Sequence, residues 1–348
     1  LYPHRCYNKE IFKMKPKIFI SGSSGFIGFH TAKKFLDGGF KVYGFDSMNN
    51  YYDINLKKSR LKILKKYKNF IFTRGSLENE NKLFDCIFKF KPQIIIHLAA
   101  QAGVRYSIKN PNTYLNSNIL GTFNILKAAS KIKIKHLIIG SSSSVYGANK
   151  KFPFKEIDKT DHQVSFYAAT KKSTESLAHS YSALWKLPVT MLRFFTVYGP
   201  YGRPDMAYFK FTKKILANQK IDIYNKGKMY RDYTYIDDIV DGIYKLTNKF
   251  PSLNIKNKYK NDSLSPVAPF RILNIGNTKK IYLLDFINFL EKILNKKIKR
   301  NYLPMQKGDV HSTLSDSSLL KRITGYNPKT NYKTGIRKFI DWYLNFYN

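Results

Sequence analysis

Tyr167 and Lys171 stand four residues apart in the run Tyr167-Ala168-Ala169-Thr170-Lys171. On a helix that spacing brings a phenol and an ammonium to one face. An ordinary phenol, with a pKa near ~10, is a poor base at neutral pH. A neighbouring cation favours the phenolate, which can then take a proton from a hydroxyl. Tyrosine and lysine are both common in this chain, so the spacing taken alone reads more readily as a core tyrosine beside a solvent lysine. A second candidate is Ser141-Ser142-Ser143-Ser144-Val145-Tyr146-Gly147. Small hydroxyls at the end of a strand can hydrogen-bond a substrate oxygen, although four serines taken alone read as a turn.

The elements that would position these groups begin upstream. Gly22-Ser23-Ser24-Gly25-Phe26-Ile27-Gly28 lies between the apolar run Lys17–Ser21 and an amphipathic stretch through Phe35. Glycines in a strand–turn–helix context allow a tight turn and close approach of the backbone to a pyrophosphate, which the helix N-terminus then attracts. Asp46 ends the next strand-like run, Val42–Asp46. A carboxylate there binds a ribose 2′-hydroxyl and repels a 2′-phosphate, so NAD is expected rather than NADP. A bound nicotinamide would add positive charge near Tyr167.

Further strands are expected at Phe70–Thr73, Ile94–Leu98, His136–Gly140 and Val189–Arg193, alternating with helical stretches. That alternation predicts an α/β fold with a doubly wound parallel sheet of the Rossmann type. After Arg193 the pattern breaks into short mixed elements, with helices near Met206–Ala217 and Leu284–Leu294 and a polar loop between Asn248 and Phe270. The division that follows is an N-terminal extension over 1–14, with Met14 as a candidate start, a mainly NAD-binding domain over 15–195, and a smaller, mainly substrate-binding lobe over 196–348. Some segments of that lobe are expected to return to the first domain.

Composition narrows the function classes. The 348 residues suffice for a core without staples, and the two cysteines, Cys6 and Cys86, form no metal or disulfide pattern. No metal site is expected, and a reducing cytoplasm fits. No apolar run reaches the ~18–20 residues of a membrane span. The net charge of +38 invites a nucleic-acid reading, but no nucleic-acid-binding motif accompanies it, and lysines on solvent faces explain it better. A sugar nucleotide is itself an anion whose capture such charge would speed.

The glycine loop, the serine run and the Tyr/Lys pair occur in the chain order of the extended short-chain dehydrogenase/reductases, and the resemblance runs from Lys15 to the end. Leu98-Ala99-Ala100-Gln101-Ala102-Gly103-Val104-Arg105 resembles the cofactor-side strand end of the UDP-glucuronate 4-epimerases. Asn49-Asn50-Tyr51-Tyr52-Asp53, Phe194 to Met206, Arg231 to Asp238 and Leu273 to Asn277 are similar to their other segments. The resemblance implies a catalytic set of Ser142, Tyr167 and Lys171. It also implies cofactor contacts from Gly22, Gly25, Phe26, Ile27, Gly28, Asp46, Asn49, Leu77, Leu98, Ala99, Ala100, Gln101 and Asn118, besides Tyr167 and Lys171. For the UDP-sugar it implies Ser142, Ser143 and Thr196, with Arg231 at the diphosphate and Arg203 and Arg105 near a sugar carboxylate. In the related 4,6-dehydratases the positions of Ser143 and Ser144 hold Asp and Glu, and in the decarboxylases the position of Ser144 holds Glu. Serines cannot do that acid–base work, so simple C4 epimerisation is expected. Ser76 departs from the family's usual Asp near the adenine. A UDP-glucose/galactose 4-epimerase, a decarboxylase or dehydratase, and a non-catalytic NAD-bound scaffold remain as alternatives. The helices beginning near Asn112 and Ser165 could pair with those of a partner copy as a bundle, and a homodimer is implied by the resemblance alone.

Overall fold

The computed structural model describes residues 15–253 and 259–347. The expected extension over 1–14 and residues 254–258 of the polar loop lie outside the described residues. The strands in chain order are β1 (Ile18–Ser21), β2 (Val42–Asp46), β3 (Phe70–Arg74), β4 (Ile94–His97), β5 (His136–Ser142), β6 (Val189–Phe194), β7 (Thr196–Tyr198), β8 (Ile221–Tyr224), β9 (Tyr230–Tyr235), β10 (Phe270–Ile275), β11 (Lys280–Tyr282) and β12 (Arg300–Leu303).

Strands β1 to β6 and β10 form one parallel sheet in the order β10-β6-β5-β4-β1-β2-β3. Successive side chains point to opposite faces of a strand. Accordingly Ile18 and Ile20 pack into one core and Phe19 into the other, and Ile94 and Ile96 are separated from Ile95 in the same way. A sheet covered on both faces needs such unbroken apolar runs, which is why Ile94-Ile95-Ile96 reads as a strand without alternation. The order reverses at β1, which pairs with β2 on one side and β4 on the other. Ligands of open α/β sheets bind in the crevice at that switch point, beyond the carboxyl ends of the strands.

The sheet differs from the expected one at its edge. Val189–Arg193 does not close the series, because β10 arrives from far downstream and pairs along β6. Its sequence, Phe-Arg-Ile-Leu-Asn-Ile, hides the strand behind two polar residues that are nonetheless buried. Arg271 forks onto Asp262 with contacts of 2.9 and 3.0 Å, and Asn274 accepts from the Tyr146 hydroxyl at 2.7 Å.

The remaining strands build the smaller lobe as a sheet β11-β9-β7 and a pair β12-β8. Helices Ala207–Leu216 and Leu283–Leu294 lie where the sequence predicts them. The lobe is tied to the seven-stranded sheet's half by helix Ile236–Leu246, which packs on helix Phe26–Asp37, and by the buried Arg60, which donates to the carbonyls of Ser24 and Tyr201. Among the described lysines only Lys57 and Lys171 are buried, so the large positive charge is carried mostly at the surface.

Candidate active site

A cavity of about 1120 Å³ opens above the carboxyl ends of the central strands. Its floor is the glycine loop between β1 and helix Phe26–Asp37. Gly22 has φ of 75°, and a Cβ there would come within 2.7 Å of the Ala99 backbone nitrogen. A Cβ on Gly28 would stand 2.0 Å from the Gly22 carbonyl oxygen. The helix starts at Gly25 with no side-chain cap, so its first N–H groups face the cavity with their positive dipole end unneutralised. Asp46 closes β2 beside this loop, accepting from the backbone N–H of Ser24 at 2.9 Å and of Met48 at 2.8 Å. Each carboxylate oxygen keeps a lone pair for a ligand hydroxyl. A bare backbone cradle, an uncapped helix and a fixed carboxylate suit a dinucleotide diphosphate and its ribose.

Asn49, Leu77, Leu98, Ala99, Ala100 and Gln101 also line the cavity, as the sequence leads one to expect, and Ser76, the departure from the family's Asp, lines it beside Leu77. Asn118 does not. Its carboxamide accepts from the Gln101 N–H at 2.8 Å and donates to the Gln101 carbonyl and the Thr170 hydroxyl, both at 3.1 Å. Held in a π-helical turn, Leu115–Leu120, and almost wholly buried, it fixes the wall from behind rather than touching the cavity.

The reactive groups meet at the end of β5. Helix Phe166–Trp185 begins there, capped by Ser165, whose hydroxyl accepts from the Ala168 N–H at 3.1 Å. The Tyr167 N–H donates to the Ser107 hydroxyl at 3.2 Å, which fixes the first turn. Ser142, Ser143, Tyr167 and Lys171 all face the cavity. Burial pushes the Tyr167 phenol above its ordinary value, against the nearby Ser142 hydroxyl and Arg203 guanidinium, which pull it down. Those two groups, and not the lysine the sequence suggested, oppose the effect of burial. Burial lowers the Lys171 ammonium to about 8, while the negative charge of Glu175 works to raise it. Its Nζ donates to the Gly140 carbonyl at 2.7 Å.

Glu175 was not singled out in the sequence, although it lies one helical turn beyond Lys171. It is buried and receives Arg193 Nε and Nη2, both at 2.9 Å, and the Ser141 hydroxyl at 2.7 Å. This network anchors the helix to β5 and β6 directly behind the serine run.

Arg105, Arg203, Arg231 and Thr196 line the other end of the cavity. Arg203 forks onto Asp205, with Nε to Oδ1 at 3.0 Å and Nη2 to Oδ2 at 2.5 Å. Arg231 donates to Asp309 at 2.9 Å and to the His311 carbonyl at 3.2 Å. Arg105 has other partners than Arg203 does. It lies over the Tyr224 ring, 4.7 Å from its centroid, and 4.0 Å from Asp309, so it shares a counter-charge with Arg231. Asp205 sits two residues from Arg203 in an already conspicuous segment and was readable. Asp309 is 78 positions from Arg231, and no local pattern announces the pairing.

Comparison with known proteins identifies the family and the fold. The family model described as GDP-mannose 4,6 dehydratase matches residues 19–339. Protein CapI of Staphylococcus aureus is 49% identical over 332 residues, covering 95% of this chain and 99% of its own. UDP-glucuronate 4-epimerase 4 of Arabidopsis thaliana is 43% identical over 338 residues, covering 95% of this chain and 76% of its own. The crystal structure of UDP-glucuronic acid 4-epimerase from Bacillus cereus, solved with UDP-glucuronic acid and NAD, superposes with a TM-score of 0.84 at 31% identity, covering 94% and 99% of the two chains. The chain therefore belongs to the family that the GDP-mannose 4,6 dehydratase model describes, the NAD-dependent sugar-nucleotide epimerases and dehydratases.

Proposed function

We propose that this protein interconverts UDP-glucuronate and UDP-galacturonate by reversible oxidation at C4 of the sugar, with NAD retained throughout the cycle. The observation that carries the reading is the convergence of Ser142, Tyr167 and Lys171 on the cavity that the glycine loop and Asp46 floor, with serine rather than an acid at 143 and 144. The named Arabidopsis relative and the Bacillus cereus structure support the same substrate and cofactor.

The glycine loop and the N-terminus of helix Phe26–Asp37 would hold the NAD diphosphate, and Asp46 the adenosine ribose. When bound, NAD supplies the redox chemistry, accepting hydride from C4 and returning it. Tyr167 takes the proton of the 4-hydroxyl and gives it back, and Ser142 hydrogen-bonds the oxygen while it is a carbonyl. Lys171, buried with its Nζ on the Gly140 carbonyl at 2.7 Å, would hold a nicotinamide ribose hydroxyl and so place the cofactor against Tyr167. Epimerisation follows when the 4-keto sugar presents its other face. Ser143 and Ser144 lack the acid–base capacity for water elimination, so the reaction stops at inversion. Arg231 and Arg105 are assigned to the diphosphate, and Arg203, with Thr196 and Ser143, to the sugar carboxylate.

The test is to incubate purified protein with UDP-glucuronate and no added cofactor, then resolve the nucleotides by anion exchange. UDP-galacturonate is expected. Turnover of UDP-glucose in its place would reassign the substrate, and no turnover of either sugar, with NAD supplied, would overturn the reaction.

We further infer a homodimer. Leu115, Leu120, Leu184 and Trp185 are exposed on the π-helical turn and helix Phe166–Trp185, around a shallow apolar hollow lined by Ile119, Phe123 and Leu177. Contiguous exposed apolar side chains of this kind favour association, and sedimentation at micromolar concentration tests it. A cytoplasmic setting and a part in polysaccharide precursor supply belong to the same proposal, since UDP-sugars and NAD are handled there. No helix among the described residues is long and apolar enough to cross a membrane.

A further inference from the structure

Arg203 uses only one edge of its guanidinium on the protein. Nε and Nη2 are taken by the two oxygens of Asp205, at 3.0 and 2.5 Å. Nη1 has no acceptor among the described residues, although the side chain lines the cavity. A planar guanidinium can serve one carboxylate along each of two edges, so the edge turned away from Asp205 is an open two-point donor.

Asp205 is itself held. The Tyr51 hydroxyl donates to its Oδ2 at 3.3 Å, and the Tyr51 ring packs on Tyr106 with centroids 4.8 Å apart. A Cβ on Gly103 would lie 2.8 Å from the Tyr51 oxygen, so the bare backbone there leaves the phenol its place. The chain Tyr51–Asp205–Arg203 thus runs from the segment after β2 to the sugar end of the cavity.

We propose that Asp205 is a positioning residue that fixes Arg203 with its open edge toward the carboxylate of an acidic sugar nucleotide, and so sets the preference for uronic-acid over neutral sugars. The proposal rests on the reading of this cavity as a UDP-sugar site. Two opposing effects meet here. Asp205 repels an incoming carboxylate, but it does so across an intervening cation in a cavity open to solvent, where charges are screened. The clamp acts at contact through two charge-assisted hydrogen bonds, and it removes the rotamer freedom Arg203 would otherwise lose on binding. Orientation outweighs repulsion.

The experiment is calorimetric titration of wild type, Asp205→Asn and Asp205→Glu with UDP-glucuronate and with UDP-glucose. Asparagine keeps the size but sets an NH2 against the guanidinium, so Asp205→Asn is expected to weaken UDP-glucuronate about tenfold and UDP-glucose less than about twofold. Asp205→Glu, which restores a carboxylate, is expected to recover most of the loss. Equal losses for the two ligands, tighter UDP-glucuronate binding by Asp205→Asn, or a wild type with no preference for the uronate would each overturn the proposal. Turnover of UDP-glucuronate by the wild type is followed in parallel. An intact binding differential without turnover faults the assigned reaction and leaves the role of Asp205 standing.

Discussion

Replacing Glu175 by Gln should strand the Arg193 guanidinium. The side chains of Glu175 and Arg193 are 2% and 1% exposed, and their fork has two contacts of 2.9 Å. Glutamine keeps the shape but removes the counter-charge and one acceptor. Breaking a buried pair from one side costs roughly 3–5 kcal/mol. Little nearby can compensate, because Glu156, which faces Arg193, has a carboxyl pushed up to about 7 by burial and is only partly charged at neutral pH. At roughly 2.1 cal/mol/K per residue, the 348 residues give an unfolding entropy near ~0.7 kcal/mol/K, so a loss of ~4 kcal/mol lowers Tm by about 6 °C.

The pH dependence has a definite sign. Burial would raise the Glu175 carboxyl, but the Arg193 charge and its hydrogen bonds hold it below its ordinary value. Between the folded value and the unfolded value near ~4.3 the unfolded state binds more protons. The contribution is therefore present above the unfolded value and lost as pH falls through the folded one. The Tm gap between wild type and Glu175→Gln should thus close in acid. The catalytic readout is separate. Glu175 is the charge that keeps Lys171 from falling below about 8, so its removal should move the alkaline limb of kcat to lower pH. Scanning calorimetry and a pH–rate profile measure both effects. The double variant Glu175→Leu/Arg193→Met removes both charges and should regain much of the stability. A loss under ~1 kcal/mol in the single variant, or a double variant less stable than the single, would refute a desolvated, mutually dependent pair.

Three other outcomes are expected. Gly28→Ala places a Cβ 2.0 Å from the Gly22 carbonyl, and the purified variant should carry little NAD; acid release and chromatography that find near-wild-type content would show the loop yields. Tyr167→Phe should lower kcat by about 10²–10⁴-fold with UDP affinity unchanged, as loss of a positioned proton acceptor requires, and a smaller fall would hand that role to another group. Arg231→Ala should weaken UDP-glucuronate and UDP-glucose alike by roughly tenfold or more, the value of charged hydrogen bonds; a loss confined to the uronate would move Arg231 to the sugar end.

Much of the site was legible because its parts are local. Gly22, Gly25, Gly28 and Asp46 carry their meaning through backbone conformation and position after a strand, and Tyr167 and Lys171 through helical spacing. What escaped depends on partners distant in the chain. Arg271 and Asn274 look wrong for a buried strand until Asp262 and Tyr146 satisfy them. Asn118 carries a cofactor-like position in sequence, yet its carboxamide is fully engaged by Gln101 and Thr170. Arg105 and Arg203 are equivalent as motif arginines, and their partners separate them, Asp309 and the Tyr224 ring for the first and Asp205 for the second.

The late arrival of β10 has a consequence for synthesis. Until residues 270–275 leave the ribosome, β6 is an open edge, bearing unpaired backbone groups that invite non-native strand addition. The segment beginning at Phe194, which leads to the sugar end of the cavity, leaves that same strand. A nascent chain that has completed its glycine loop therefore still lacks a closed sheet, and the nucleotide half should not mature ahead of the rest. Fragments ending near residue 195 are accordingly expected to aggregate, whereas a permuted chain that delivers β10 before β6 should fold with less exposure to that hazard.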